Sequence, residues 1–236
     1  LFLLIFLTCC RDKGKRETIS LNGIWKIAEG SMDKIPVVYD HIIKVPGLVS
    51  LAEPEFMEAG PKVRDRRSIV QKDSLREAFW YFRNFNIDTP VPAIAVLKVS
   101  RAMFGTKIFL NGKDIGEHLP CFTPGYFDVR DALEQGENEL IIRVGSCRNS
   151  VPFSIPDGFD FEKERYIPGI FANVDLILSG TPGIINAQAA PDIVHRQVRI
   201  HVRLGNPGKA ASSKVKIVIK EAVTQKTAGL TVRKII

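Results

Sequence analysis

The residues best suited to chemistry lie in one polar segment, Pro156 to Arg165, which reads PDGFDFEKER. Glu162 and Glu164 lie two residues apart in it, and a pair of carboxyl groups is what general acid–base chemistry requires. This pair predicts no catalytic site by itself, because a loop gives no rigid element that would fix the separation of the two groups. Polar loops often carry binding residues, but a solvated loop held by its own ion pairs is an equally good interpretation.

Other metal-binding and nucleophilic residue types are scattered along the chain. None of the histidines has a His, Cys or carboxylate partner at metal-ligand spacing, and the four cysteines form no CxxC motif. The histidines are His41, His118, His195 and His201. No metal site and no cofactor is therefore expected. Cys121 and Cys147 either form a disulfide or are small buried apolar side chains, and we favour the second interpretation.

The N-terminal segment is typical of an export signal. Leu1 to Thr8 is almost wholly apolar, lacks an initial Met, is too short to span a bilayer, and precedes Cys9, Cys10 and a charged run. Leu7-Thr8-Cys9-Cys10 resembles a bacterial lipobox, in which a cysteine is lipidated after cleavage. We therefore expect an exported periplasmic or outer-membrane lipoprotein anchored through Cys10, with an ordinary secretory signal as the alternative.

The composition is that of a folded globular protein with a basic balance. Mean hydropathy is +0.02 and charged residues make up 25% of the chain. The net charge is +7, and the short run Arg11 to Arg16 supplies three of these charges. We interpret the other basic residues as interleaved with acidic ones, which predicts a mildly basic, solvated surface and no nucleic-acid partner.

Short alternating segments separated by turns predict an all-β chain from Ile19 onward. Asn111-Gly112 predicts a tight type I′ hairpin, because both residues tolerate positive φ. Residues 128–133 predict a short helical turn before Gly136, and Pro182-Gly183 interrupts the pattern. The predicted strands are 23–28, 78–87, 93–100, 106–110, 113–118, 125–129, 138–144 and 173–179, then 184–189, 197–204, 214–221 and 230–236.

Several motifs, in order along the chain, resemble the sugar-binding jelly-roll domain of family 2 glycoside hydrolases, the β-galactosidases, β-glucuronidases and β-mannosidases. The resemblance covers nearly everything after Thr18. Its motifs are LNGIW at 21–25, VPG at 45–47, FWYFRNF at 79–85, KIFLNGKDIGEH at 107–118, FTPGYFDV at 122–129, GENELIIRV at 136–144 and YIPGIFANV at 166–174.

The resemblance implies three segments. Residues 1–16 are a signal remnant and basic linker, residues 17–181 a galactose-binding-like jelly-roll β-sandwich, and residues 182–236 a partial immunoglobulin-like β-sandwich. An immunoglobulin-like sandwich needs about seven strands, so four strands leave the second one incomplete. The aromatic residues Trp25, Trp80, Tyr81 and Phe85 are then expected in the core. Sugar stacking by Trp80 is the less favoured reading, and Asp128 and Asn138 are expected to stabilise turns.

The resemblance also implies a function. This chain would be the non-catalytic front part of a glycosidase, with both catalytic glutamates on a downstream (β/α)₈ barrel that these residues do not contain. In the family the loop before the YIPGI motif lines the substrate pocket. The implied carbohydrate-binding residues are therefore Asp157, Asp160, Glu162 and Arg165. The alternatives are a stand-alone surface carbohydrate-binding module and a purely structural domain.

Overall fold

The computed structural model describes residues 3–9, 16–57, 76–158, 166–207 and 212–235. It confirms the all-β prediction, since the described helical elements are two single 3₁₀ turns, Val49–Leu51 and Arg148–Ser150. In chain order, the strands are β1 Leu3–Cys9, β2 Glu17–Ser20, β3 Gly23–Gly30, β4 His41–Val45, β5 Gly47–Leu48, β6 Ala78–Ile87, β7 Ile94–Val99, β8 Ala102–Met103, β9 Thr106–Leu110, β10 Lys113–His118, β11 Gly125–Asp128, β12 Gly136–Gly145, β13 Gly169–Ile170, β14 Val174–Ser179, β15 Gly183–Asp192, β16 Gln197–Gly205, β17 Ser213–Glu221 and β18 Thr227–Ile235.

The chain divides into two compact units. The larger unit comprises residues 18–91 and 95–178, and the smaller one comprises residues 1–17, 92–94 and 179–236. The predicted segment boundaries at residues 16 and 181 stay predictions.

The larger unit is a sandwich of two main sheets. One sheet has six strands in the order β10-β9-β12-β6-β3-β4, and the other has four in the order β11-β7-β14-β2. Apolar side chains alternate along these strands, so that each sheet turns one row inward. Trp25 and Tyr81 meet edge to face at 6.4 Å in the core between the sheets, and both are almost fully buried, as predicted. A small third sheet has the strand order β5-β13-β8.

A second apolar cluster lies on the other side of the six-stranded sheet. Trp80 is 1% exposed there, packs with Ala78 and Ile141, and donates its indole N–H to the Ser31 carbonyl at 2.9 Å. The segment after β3 covers this cluster with Met32, Ile35 and Tyr39. Trp80 is therefore a core residue, and its ring is inaccessible to a sugar.

Both turns that the sequence predicts are present in the structure. Asn111 (φ 51°) and Gly112 (φ 74°) both have positive φ, and Leu110 pairs directly with Lys113, which confirms the predicted tight hairpin. Residues 129–133, directly after β11, form a single turn, in which the Leu133 N–H donates to the Val129 carbonyl at 2.8 Å. Asp128 caps this turn by accepting from the Arg130 N–H.

The smaller unit contains two antiparallel sheets. β15 and β16 form a two-stranded sheet, and β17 lies between β1 and β18 in the other. Residues of β16, β17 and β18, most of them apolar, line an open cavity of about 370 Å³. The strand β1, which the sequence had indicated as part of an export signal, pairs here with β17 from Leu3↔Glu221 to Cys9↔Val215.

Cys121 and Cys147 are both free thiols, and Cys121 is buried. Strands β1, β2, β4, β5, β8 and β13 were not predicted, and all of them except β1 have five residues or fewer. In the described ranges, no helix is long and apolar enough to cross a bilayer.

Candidate functional site

The loop that follows β12 is organised around one side chain, Arg148. Strand β12 ends at Gly145, and a 3₁₀ turn then places Arg148 inside the loop that it begins. Its guanidinium group donates to four backbone carbonyls within seven residues. The acceptors are Val151 at 3.0 Å, Pro152 at 3.1 Å, Phe153 at 2.7 Å and Ile155 at 3.2 Å. A planar group with five N–H donors can tie a loop together in this way, whereas a lysine could not.

Asp157 closes the loop onto the same arginine. Its Oδ2 lies 2.7 Å from Arg148 Nε, and both side chains are 7% exposed. Loss of either charge would leave the other buried without this ion pair, which is costly. The loop from Arg148 to Asp157 is therefore a closed, internally bonded unit.

Aromatic rings form the outer surface of this loop. The Phe153 ring packs on the Arg148 guanidinium, 5.4 Å from ring centroid to Cζ, and 76% of the residue is exposed. Phe122, from the segment between β10 and β11, is 43% exposed and packs against Gly158. Gly158 has φ +69°, and a Cβ there would lie 2.8 Å from the Phe122 ring. Glycine is thus required both for its backbone conformation and for the close approach of the ring.

A small apolar cluster lies beneath the loop. Phe104, Cys121, Val151 and Tyr166 are all buried in it. Burial raises the pKa of the Cys121 thiol, so the group stays protonated near neutral pH and is a poor nucleophile.

The structure places one of the four predicted binding residues. Asp157 pairs with Arg148, a partner that the sequence did not predict. Asp160, Glu162 and Arg165, together with Glu164, lie outside the described residues. A direct contact between any of the four and a carbohydrate stays a prediction.

Sequence reasoning missed Arg148, Phe153 and Phe122. The available signal was weak: a basic residue shortly after the predicted strand 138–144, followed by Pro152 and Pro156 in a segment without regular alternation. Among the described residues, no three His, Cys, Asp or Glu side chains come together as a metal site would require. What the arrangement offers is an ordered loop with accessible aromatic surface, which suits binding.

Similar folds occur among solved glycosidase structures. A β-glucuronidase from an uncultured Clostridium species shares 19% identity with a TM-score of 0.59, over 95% of this chain and 40% of that protein. A β-glycosidase from Bacteroides vulgatus shares 16% identity with a TM-score of 0.63, over 93% of this chain and 28% of that protein. A β-D-mannosidase from Dictyoglomus thermophilum shares 18% identity with a TM-score of 0.55, over 93% and 29%.

Other comparisons were negative. No family model and no curated protein sequence matches the chain. The chain spans 40% or less of these three glycosidases. At these identities the similarity establishes the fold, and the resemblance to family 2 glycoside hydrolases read from the motifs is confirmed at that level: the chain has the β-sandwich fold found in part of β-glucuronidases and β-mannosidases.

Proposed function

We propose that this chain is the non-catalytic N-terminal part of a family 2 glycoside hydrolase, which supports a catalytic barrel and contributes a loop to substrate binding. The observation that carries the proposal is the shared sandwich fold, which covers nearly all of this chain and less than half of each neighbouring glycosidase. The order of the sequence motifs agrees with it.

The chemistry of glycoside hydrolysis fits this division of labour. A retaining glycosidase holds two carboxyl groups about 5–5.5 Å apart, one as acid and base and the other as nucleophile. The buried carboxylate of Asp157 faces an arginine. Such a pair positions a loop, and the acid–base pair would belong to the barrel.

The Arg148 loop would have a defined role in the whole enzyme. It fixes the chain on the N-terminal side of the predicted binding residues Asp160, Glu162 and Arg165. A loop that reaches a substrate pocket loses less conformational entropy on binding when its base is already ordered.

The test starts with the coding DNA downstream of Ile236. The proposal expects an open reading frame that continues into a (β/α)₈ barrel with two strand-end glutamates. The extended protein should then hydrolyse at least one nitrophenyl glycoside in a panel of glucuronide, galactoside and mannoside, whereas the 236-residue chain alone should hydrolyse none. Turnover by the chain alone, or a reading frame without a barrel, would refute the proposal.

One observation favours a second candidate, a stand-alone carbohydrate-binding module. Phe153 presents an accessible ring on a rigid base, and aromatic faces of this kind can stack on sugars. Glycan-array binding by the 236-residue chain that is lost in Phe153→Ala, with the melting temperature unchanged, would support this candidate. Equal binding by both proteins would exclude Phe153 as a contact.

The proposal includes export and a lipid anchor at Cys10, which lies outside the described residues. Support comes from the apolar N-terminal segment and from the lipobox-like residues 7–10. Globomycin, which blocks the lipoprotein signal peptidase, should cause the precursor to accumulate in cells that express the full gene. Unchanged processing would refute the anchor and leave an ordinary secretory signal.

A further inference from the structure

The positive charge of the chain is concentrated in its C-terminal quarter. Residues 179–236 contain ten Lys and Arg against two Asp and Glu, whereas residues 1–178 contain 23 against 24. The C-terminal segment therefore carries +8 and the rest of the chain −1. This corrects the interpretation that basic and acidic residues are interleaved, because that pattern holds only before residue 179.

Part of this charge forms an ordered row on the β15–β16 sheet. After Gln197, the exposed residues along β16 are Arg199, His201 and Arg203, and they alternate with half-buried apolar residues. Alternate residues of a strand point to the same side, so the three side chains share one outward face and the two arginines lie about 13 Å apart along the strand. We call this surface the arginine face.

The neighbours of this row on β15 are uncharged. The strand register places Ala190 opposite Arg199, Gln188 opposite His201 and Asn186 opposite Arg203. Directly opposite residues lie on the same side of an antiparallel sheet. The arginine face thus carries two arginines and a histidine beside two amides, and the nearest carboxylate on the same side is Asp192, opposite Gln197 at the end of the row.

The nearest acidic residue of the hairpin, Asp192, already accepts hydrogen bonds from its own neighbours. Asp192 accepts hydrogen bonds from the backbone and ring of His195 and from the Gln197 side chain, and these bonds lower the pKa of its carboxyl group. Among the residues that the structure describes, Arg199 and Arg203 form no ion pair with a carboxylate. Two guanidinium forks in one row are therefore available to an external anion.

We propose that the arginine face binds an acidic polysaccharide, one that carries carboxylate or sulfate groups along its chain. Guanidinium groups match carboxylates and sulfates in planar, two-point hydrogen bonds, and the flanking amides can bond to hydroxyl groups. The proposal deepens the proposed function and rests on its carbohydrate partner.

The same observations disfavour other polyanions. Residues 179–236 contain no Phe, Tyr or Trp, so the segment has no ring on which the bases of a single-stranded nucleic acid could stack. The face itself has no large apolar side chain that would insert between lipid headgroups, since the residues opposite the row are Ala190, Gln188 and Asn186. The exposed Ile193 and Val194 lie in the turn beyond the end of the row. A flexible saccharide chain needs neither feature.

The test compares two double variants that remove equal charge. Arg199→Gln/Arg203→Gln changes the arginine face, and Lys214→Gln/Lys216→Gln changes exposed positions on β17, in the other sheet of the same unit. Binding of the full chain to polygalacturonate and to dextran sulfate is measured by calorimetry at low and high salt, with uncharged dextran as the control. The two polymers distinguish carboxylate from sulfate recognition.

We expect salt-sensitive binding to at least one of the two acidic polymers and none to dextran. The arginine variant should bind about tenfold or more weakly, because two charge-assisted contacts are lost, while the lysine variant changes less than about threefold. Equal losses in both variants would show attraction by net charge alone and would overturn the proposal. So would the absence of binding, or tighter binding to duplex DNA or to vesicles of anionic phospholipid.

This experiment is independent of the glycosidase test. It uses the 236-residue chain without turnover, so binding can fail while a downstream barrel is found, or hold while none is found. All four substituted positions are exposed, and matching melting temperatures would show that the variants are folded.

Discussion

Arg148 is the side chain on which the loop after β12 depends. It spans four carbonyl groups and one carboxylate within nine residues. Replacement by Met keeps much of the side-chain volume but removes the ion pair of the buried Asp157. We expect a loss of about 3–5 kcal/mol in the free energy of unfolding, measured in urea.

Arg130→Met is the matched control for this variant. Its ion pair with Asp131 is exposed, and we expect a change below about 0.5 kcal/mol. The double variant Arg148→Met/Asp157→Leu should regain part of the stability, because no charge is then left buried. Similar losses for Arg148→Met and Arg130→Met would contradict the role assigned to Arg148.

Asn138 has a comparable role in a turn. It is 1% exposed, accepts hydrogen bonds from the Glu134 N–H and the Asn111 side chain, and donates to the Glu134 and Gly136 carbonyls. Asn138→Ala should reduce the free energy of unfolding by about 2–4 kcal/mol, because buried partners lose their bonds. Asn84→Ala, which removes a single exposed bond to Glu137, should stay below about 0.5 kcal/mol. A cost for Asn138→Ala no larger than that control would show that the turn does not need this side chain.

Tyr39 predicts a stability change at alkaline pH. Burial, aided by the nearby Glu139, raises the pKa of its hydroxyl group from 10 to about 12. The folded state therefore keeps this proton in a range where the unfolded state has lost it, so stability is complete below pH 10 and falls between pH 10 and 12. Tyr39→Phe should make this fall shallower while leaving stability at pH 7 nearly unchanged, since the hydroxyl is buried without a hydrogen-bond partner among the described residues. Parallel pH profiles of the two proteins in urea titrations would refute the assignment.

At the scale of elements, the hairpin between β9 and β10 allows the cost of a positive φ angle to be measured without a steric clash. No atom lies within 4 Å of a Cβ added at Gly112, so Gly112→Ala has no steric contact to make. The residue must nevertheless hold φ at 74°, which costs an L-amino acid about 1–2 kcal/mol. We expect a destabilisation of that size by thermal unfolding. Gly30→Ala, where φ is not positive and the nearest atom is 3.5 Å away, should be neutral or slightly stabilising.

Most of the longer strands could be predicted from the sequence, because apolar and polar residues alternate along them. Ala78–Ile87 and Thr106–Leu110 agree with the prediction at both ends, since alternation and flanking turns define them. The short strands β5, β8 and β13 escaped, because two residues carry no period. Their pairing depends on partners far away in the chain, as in Gly169 with Leu48 and Met103.

The candidate site was less predictable than the fold, for a physical reason. The segment 156–165 was identified by its charge, but Arg148 acts mainly through backbone carbonyls, and carbonyl groups leave no mark in a sequence. The pairing of Arg148 with Asp157 further requires a loop conformation that no local pattern specifies. The many polar residues of the segment could be recognised in the sequence, whereas the contacts that order its base are visible only in the structure.

At the scale of the whole molecule, apolar burial is uneven between the two units. In the larger unit one core cluster includes residues from both main sheets, whereas after Gly183 the buried apolar residues in the described part are Val215 and Ile217. Local stability follows the amount of buried apolar surface. Hydrogen exchange followed by mass spectrometry should therefore show the slowest exchange in β6 and β12 and much faster exchange in β15 to β18. Equal protection of the two groups of strands would contradict this expectation.

The location of the two tryptophans has a spectroscopic consequence. Trp25 and Trp80 are the only tryptophans in the sequence, both lie in the six-stranded sheet, and both are 1% exposed. Intrinsic fluorescence therefore reports on the larger unit alone, and its red shift marks the moment when water reaches these indoles. Circular dichroism records the strands of both units, so any difference between the two optical melting curves measures the unit that does not fluoresce.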